Sequence, residues 1–253
     1  MGTRKTIDNF LSVFSAVPPR LRVKSPRMPV YQLDPRIPLF PPPELAEPDG
    51  MLAVGGDLSV PRLLEAYRNG IFPWFEPGEE PFWWCPDPRL ILEPKNLVVS
   101  RSLRSTIRRA VFETRFDTCF LDVMNACRAI KRTHEDGTWI GSEILRGYQA
   151  LFDLGFAHSV ESWRNGELVG GLYGVGLGRA FFGESMFAKQ TDASKVAVAA
   201  LCQECERRGI EFIDCQITSA HLLSLGAHEV SREEFLSKLR QVVDEPTPPG
   251  RWA

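Results

Sequence analysis

Asp214 and Gln216 stand two apart in IEFIDCQITSAHLLSLGAHEV, residues 210–230. Ile210, Phe212 and Ile213 open this stretch as a β-prone run, where further apolar residues would be expected. A carboxylate and an amide stand there instead, and burying such groups without partners costs on the order of several kcal/mol. Alternation along a strand turns Asp214 and Gln216 to one face and Cys215 to the other. A carboxylate beside an amide can polarise and orient it, and the amide both donates and accepts hydrogen bonds. A structural polar network at a strand end is the plainer reading of the same pair, and the residues alone favour it. Cys215, facing away, is read as core. The same geometry disfavours a His158–Cys215 dyad, so His158 and His221 are read as structural.

The elements that must position this pair are legible in outline. Residues 28–88 are rich in Pro, Gly and Trp and read as a small α+β domain. Its helix starts after Ser59 and Pro61 and stops at Gly70. Beyond Leu90, helices are expected at 100–111, 120–133 and 142–154. Residues 156–187 form a hairpin-rich antiparallel run with Asn165-Gly166 as its strongest turn signal. Asp192 is expected to cap a helix over 193–208 that Gly209 ends. The strand carrying Asp214 follows, then helices over 219–225 and 232–243. This order predicts an α+β, acyltransferase-like domain over residues 89–253. Residues 1–27 read as a flexible extension, with Met28 a second candidate start.

Composition narrows the function classes. The 253 residues suffice for two unequal domains, and 43% hydrophobic with 25% charged residues is globular usage. No apolar run is long enough to span a bilayer. NFLSVFSAV is too short, Asp8 and Asn9 spoil a leader, and the myristoylation-like opening MGTRKT is taken as chance. Six scattered cysteines, with Cys202 and Cys205 inside an Ala-rich helical pattern, point to reduced thiols and a cytoplasmic setting rather than metal or redox chemistry. The net charge of −2 advertises no polyanion. Between Arg89 and Arg132, however, basic residues cluster, Lys131 among them. Arg101, Arg104 and Arg108 share one helix face beside Leu103, Ile107 and Val111. A solvated amphipathic helix explains that face by itself; phosphate binding is permitted.

A set of motifs in order adds a resemblance. MLAVGGDLS, GIFPWF, WWCPDPR, GTWI, AHSVESW, LVGGLYG, GESMF with ASK, and DCQ with HLLSLGA run from about residue 41 to 235. Together they resemble the bacterial leucyl/phenylalanyl-tRNA–protein transferases. Cys85 stands where WWSPDPR would have Ser. The resemblance implies a small N-terminal domain followed by a GNAT-like acyltransferase domain. It implies transfer of Leu or Phe from Leu-tRNA or Phe-tRNA to the α-amine of proteins beginning with Arg or Lys, which marks them for N-degron proteolysis. An aminoacyl ester is already activated, so no cofactor, metal or covalent intermediate is called for. By resemblance Asp214 and Gln216 form the catalytic relay, and the proton's final acceptor stays open among Asp214, water and substrate. Trp74 and Trp139 would stack on the terminal adenine, and Glu184 would serve the aminoacyl-adenosine site. Met186, two residues along and expected on the same face, would line a Leu/Phe pocket with Leu172 and Leu201. Lys195 and Arg101, Arg104 and Arg108 would receive tRNA phosphates. A monomer is expected. A CoA-dependent N-acetyltransferase and a non-catalytic tRNA-binding protein are the alternatives. No Gly-rich turn precedes residue 193 to favour the first.

Overall fold

A computed structural model describes residues 30–130, 139–246 and 250–252. The 1–27 extension, Met28, Lys131 and Arg132 lie outside the described residues. Two sheets organise the described residues. The smaller has order β1-β2-β4-β3, from Tyr31–Leu33 (β1), Met51–Gly55 (β2), Phe72–Pro73 (β3) and Phe82–Trp84 (β4). Helix α1 (Val60–Arg68) links β2 to β3, with Pro61 in its first turn and Gly70 at positive φ beyond its end.

The larger sheet has order β11-β5-β10-β9-β8-β7-β6. Its strands are β5 (Arg89–Leu92), β6 (Glu113–Phe116), β7 (Ala157–Arg164), β8 (Glu167–Leu177), β9 (Ala180–Ala188), β10 (Phe212–Gln216) and β11 (His228–Val230). All neighbours are antiparallel except β9 and β10, which run parallel. Asn165 and Gly166 both have positive φ and join β7 to β8 by a two-residue turn, the conformation a right-twisted hairpin requires.

Helix α5 (Ala193–Arg208) covers one face of this sheet. Helices α3 (Phe120–Ala129) and α4 (Ser142–Asp153) lie on the other, where one apolar cluster continues into the small sheet and α1. The α5 face holds the second cluster. Helix α7 (Arg232–Val242) ties the two parts together, because Arg232 donates to the carbonyls of Ala46 and Glu47.

Several expectations shift in detail. Helix α2 is Arg101–Arg108, shorter than 100–111, because Ala110 takes positive φ and the chain turns into edge strand β6. The sequence pattern gives no sign of that strand; its alternating Glu113 and Arg115 are polar because one side of the edge meets water. Helix α3 ends at Ala129 because Ile130 is already extended, and 131–133 fall outside the described residues. Asp192 does not cap α5 with its side chain: it sits at φ +67, and its carboxylate meets Thr106 of α2 and Lys195 instead. Ser219 and Ser231 do cap their helices, α6 (Ala220–Ser224) and α7, accepting from Leu222 and Glu234. All six cysteines are free thiols, and burial pushes Cys202 up to about 12. Among the described residues, no helix is long and apolar enough to cross a membrane and no group of His, Cys, Asp and Glu is placed to hold a metal ion.

Candidate active site

Two bulges shape the site, one in each of the parallel strands. In β9 the pairing runs Gly174 with Gly183 but Tyr173 with Ser185, so Glu184 is the extra residue. Gly174 is required opposite it: a Cβ there would lie 2.2 Å from the Phe182 carbonyl oxygen. A bulge reverses alternation beyond it. Phe182 and Phe187 therefore pack on the α3–α4 face, while Phe181 and Met186 pack on the α5 face. The expectation that Glu184 and Met186 share a face is corrected by this bulge.

Glu184 is 2% exposed and its carboxylate is fully occupied. Tyr67 of α1 donates to Oε1 at 2.8 Å, Tyr148 of α4 donates to Oε2 at 2.7 Å, and Gln216 Nε2 donates to Oε1 at 2.8 Å. The two tyrosine hydroxyls also touch one another. Burial pushes the Glu184 carboxyl up to about 7. The three donors oppose that rise and the Asp214 charge adds to it, so desolvation outweighs hydrogen bonding here. Burial likewise raises both tyrosines well above their ordinary range.

In β10, Asp214 pairs with Ile91 and Gln216 with Leu90, which makes Cys215 the extra residue. Gln216 has φ +61, and the Ile217 N–H donates to the Cys215 carbonyl at 2.7 Å, closing a three-residue γ-turn about Gln216. Such a conformation in a non-glycine residue costs of order 1–3 kcal/mol and persists only where its surroundings hold it. Asp214 and Gln216 do face one side and Cys215 the other, where the thiol packs among α5 side chains. The Asp214 carboxylate, however, does not reach the Gln216 amide. Oδ1 accepts the Gln216 main-chain N–H at 2.9 Å and Arg89 Nε at 2.8 Å, and Oδ2 accepts Arg89 Nη2 at 2.6 Å. The guanidinium lies over the rings of Phe72 and Phe235, 4.8 and 4.5 Å from their centroids.

The ladder between β9 and β10 ends at the Phe182–Asp214 pair. Beyond it an apolar pocket of about 360 Å³ opens to solvent, and Leu172, Met186, Val198, Leu201, Cys215 and Leu222 are among its lining residues. Gly183, Glu184 and Ser185 of the bulge also border it. The polar network thus lies against one wall of the pocket.

Trp74 and Trp139 are half-buried and pack on the cluster that Tyr67 and Tyr148 belong to. Trp74 lies 5.9 Å from Trp84, whose indole N–H holds the Trp74 carbonyl at 2.7 Å. Gly141, two residues after Trp139, packs against Pro77, three after Trp74, so the two aromatic segments touch. Arg101, Arg104 and Arg108 are exposed on α2, and Thr106 of the same helix reaches Asp192 at the start of α5, beside Lys195. His158 Nδ1 lies 2.8 Å from the Asp117 carboxylate, and its ring stacks on Trp252. His221 is pushed down to about 4 by burial and by Lys195, which keeps it neutral.

Sequence reasoning missed Arg89, Tyr67 and Tyr148. A signal existed: two carboxylates expected in buried strands each demand donors, and Arg89 closes the WWCPDPR motif.

The family model described as leucyl/phenylalanyl-tRNA protein transferase matches residues 91–240, and the model of that family's N-terminal domain matches 56–87. A protein of Desulfatibacillum aliphaticivorans with the family's name is 54% identical, over 89% of this chain and 97% of its own length. One from Aromatoleum aromaticum, likewise named, is 56% identical over 85% of this chain and 92% of its own length. The chain belongs to the leucyl/phenylalanyl-tRNA–protein transferase family. It is accordingly an aminoacyltransferase. Among solved structures, a GCN5-related N-acetyltransferase from Kribbella flavida aligns at TM-score 0.36 and 12% identity, over 66% of this chain and 59% of that one.

Proposed function

We propose that this protein moves leucine or phenylalanine from aminoacyl-tRNA to the N-terminal α-amine of proteins that begin with Arg or Lys. The product carries a new peptide bond and an N-terminus marked for degradation. One observation carries the reading: an apolar pocket lined by Leu172, Met186 and Leu201 borders Glu184, which Gln216 holds, beside the break between β9 and β10.

The chemistry asks for positioning and charge stabilisation. An α-amine of pKa about 7.7–8.0 is partly neutral near pH 7. Its nitrogen attacks the ester carbonyl, the C–N bond forms, and the C–O bond to the terminal ribose breaks. The proton lost by nitrogen ends on the departing ribose oxygen. Gln216 Nε2 is tied to Glu184, which leaves Oε1 to accept an N–H of the amine and aim its lone pair. Asp214, 0% exposed and saturated with donors, acts on Gln216 rather than as the proton's destination.

Met186, Leu172 and Leu201 would hold the aminoacyl side chain, and a flexible thioether suits both Leu and Phe. Glu184 with its tyrosines would border the aminoacyl-adenosine. Trp74 and Trp139 would stack on the terminal base. Arg101, Arg104, Arg108 and Lys195 would follow tRNA phosphates. A cytoplasmic monomer fits this work.

The test is transfer of labelled leucine from Leu-tRNA to a peptide beginning with Arg, with and without RNase. An Asp-initial peptide and labelled acetyl-CoA run in parallel. RNase-sensitive labelling of the Arg peptide supports the reading. Acetylation in its place would establish the CoA-dependent alternative, and no transfer of either kind would leave a tRNA-binding protein.

A further inference from the structure

We propose that Arg89 is a positioning residue for aminoacyl transfer, acting on Gln216 through Asp214 and the main chain. The inference rests on the reading that Gln216 meets the attacking amine. Its basis is a continuous chain of contacts. The rings of Phe72 and Phe235 both pack on the guanidinium, 4.8 and 4.5 Å from its carbon. Its fork fixes both oxygens of Asp214 at 2.8 and 2.6 Å. The oxygen shared with Nε then accepts the Gln216 N–H at 2.9 Å, inside the γ-turn that puts Gln216 at φ +61. That turn directs Nε2 to Glu184 and leaves Oε1 without a donor among the described residues.

A buried ion pair is weak evidence of stability, since apolar groups of equal volume often serve as well. What this pair supplies is direction. A planar fork sets the orientation of a carboxylate as a point charge cannot, and an oriented carboxylate is what a strained N–H needs to stay in place. Released, Gln216 relaxes toward extended backbone and its amide leaves Glu184. A reacting group displaced by about 1 Å can lose roughly 100-fold in rate.

The experiment compares Arg89→Met and Arg89→Lys, each alone and combined with Gln216→Ala, in the leucine-transfer assay on the full chain. Arg89→Met is expected to lower kcat roughly 100-fold, with KM for tRNA and peptide changing less than about 3-fold. Arg89→Lys, which keeps the charge and loses the fork, falls between. In the Gln216→Ala background, Arg89→Met should cost less than about 3-fold more, because the two act as one unit. Multiplicative losses, or a change confined to KM, would overturn the proposal.

A second readout does not need activity. The Gln216 side-chain amide resonance, assigned by its disappearance in Gln216→Ala, should shift in both Arg89 variants. An unmoved resonance overturns the proposal as well. If Arg89→Met does not fold, Arg89→Lys decides. If the unaltered protein transfers nothing, the functional reading fails, and the resonance still decides the role of Arg89.

Discussion

Glu184 provides the sharpest test of the site's physics, because its carboxyl is raised from 4.5 to about 7 by burial. The sign follows from proton counting. Between those values the folded protein holds a proton that the unfolded chain has released, so the folded state binds more protons. Stability therefore falls as pH rises through this window, and the loss is complete above about pH 7. At 1.36 kcal/mol per pK unit, the shift amounts to about 3 kcal/mol. The group is fully buried, so solvent screening removes little of it.

Other carboxylates titrate in the same range, and the Glu184→Gln variant separates them. Glutamine keeps the shape and cannot ionise. Its oxygen can accept from Tyr67 and Gln216 while its nitrogen donates to Tyr148, so the network survives. Urea unfolding of both proteins at pH 4.5, 5.5, 6.5 and 7.5 yields a difference in which the shared titrations cancel. Glu184→Gln should gain on the parent protein by about 3 kcal/mol across that range, with most of the change between pH 5 and 7. A difference flat to within about 0.5 kcal/mol would refute the argument that desolvation outweighs the three donors. Tyr148→Phe, which deletes one donor, should move the midpoint of this dependence upward.

Trp74→Ala and Trp139→Ala should each weaken Leu-tRNA binding by about 1–3 kcal/mol with little effect on peptide KM, measured by filter binding and steady-state kinetics. Replacing Arg101, Arg104 and Arg108 together by Ala should lower the slope of log affinity against log salt by about 0.9 for each phosphate no longer neutralised, read from tRNA titrations between 50 and 200 mM KCl. Trp252, stacked 4.3 Å from His158 and held by Asp117 through its main-chain N–H, closes the far end of the sheet. Trp252→Ala should cost about 3–5 kcal/mol, near 10 °C in melting temperature, and leave kcat unchanged.

How much of this was legible depends on the range over which the deciding contacts act. The hairpin at Asn165-Gly166 and the stop at Gly209 could be read because each is settled within a few residues. Alternation likewise put Asp214 and Gln216 on one face. The partners could not be read so. Arg89 stands 125 residues from Asp214, and Tyr67 stands 117 from Glu184; only the fold joins them. Bulges are subtler still. One extra residue at Glu184 moved Met186 to the opposite face, and no local propensity marks the spot except Gly174 on the neighbouring strand. Asp214, Gln216 and Glu184, which the motifs single out, lie in one hydrogen-bonded neighbourhood, although the periodicity misplaced Met186.

The two bulges also explain why polar and apolar functions can meet in one sheet. In a regular pair of parallel strands the ladder would continue past Phe182 and Asp214 and leave no gap between the strands. The extra residues at Glu184 and Cys215 fall just beyond that last pair, on adjacent strands. Their effect is to stop the ladder, open the pocket on the α5 face and hold carboxylate and amide on the face of Tyr67 and Tyr148. An aminoacyl ester entering the break would place its side chain among Leu172, Met186 and Leu201 while its carbonyl lay against Gln216. Each feature runs against local preference: a residue at φ +61, a carboxylate raised to about 7 and a buried ion pair. Such costs gather where geometry matters more than stability. Removing the β9 bulge by deleting Glu184 should therefore restore regular pairing and abolish transfer, and it should lower stability because the buried Tyr67 and Tyr148 hydroxyls and the Gln216 amide lose their acceptor. A deletion variant that kept its activity would show that the break between the strands is not where the ester is held.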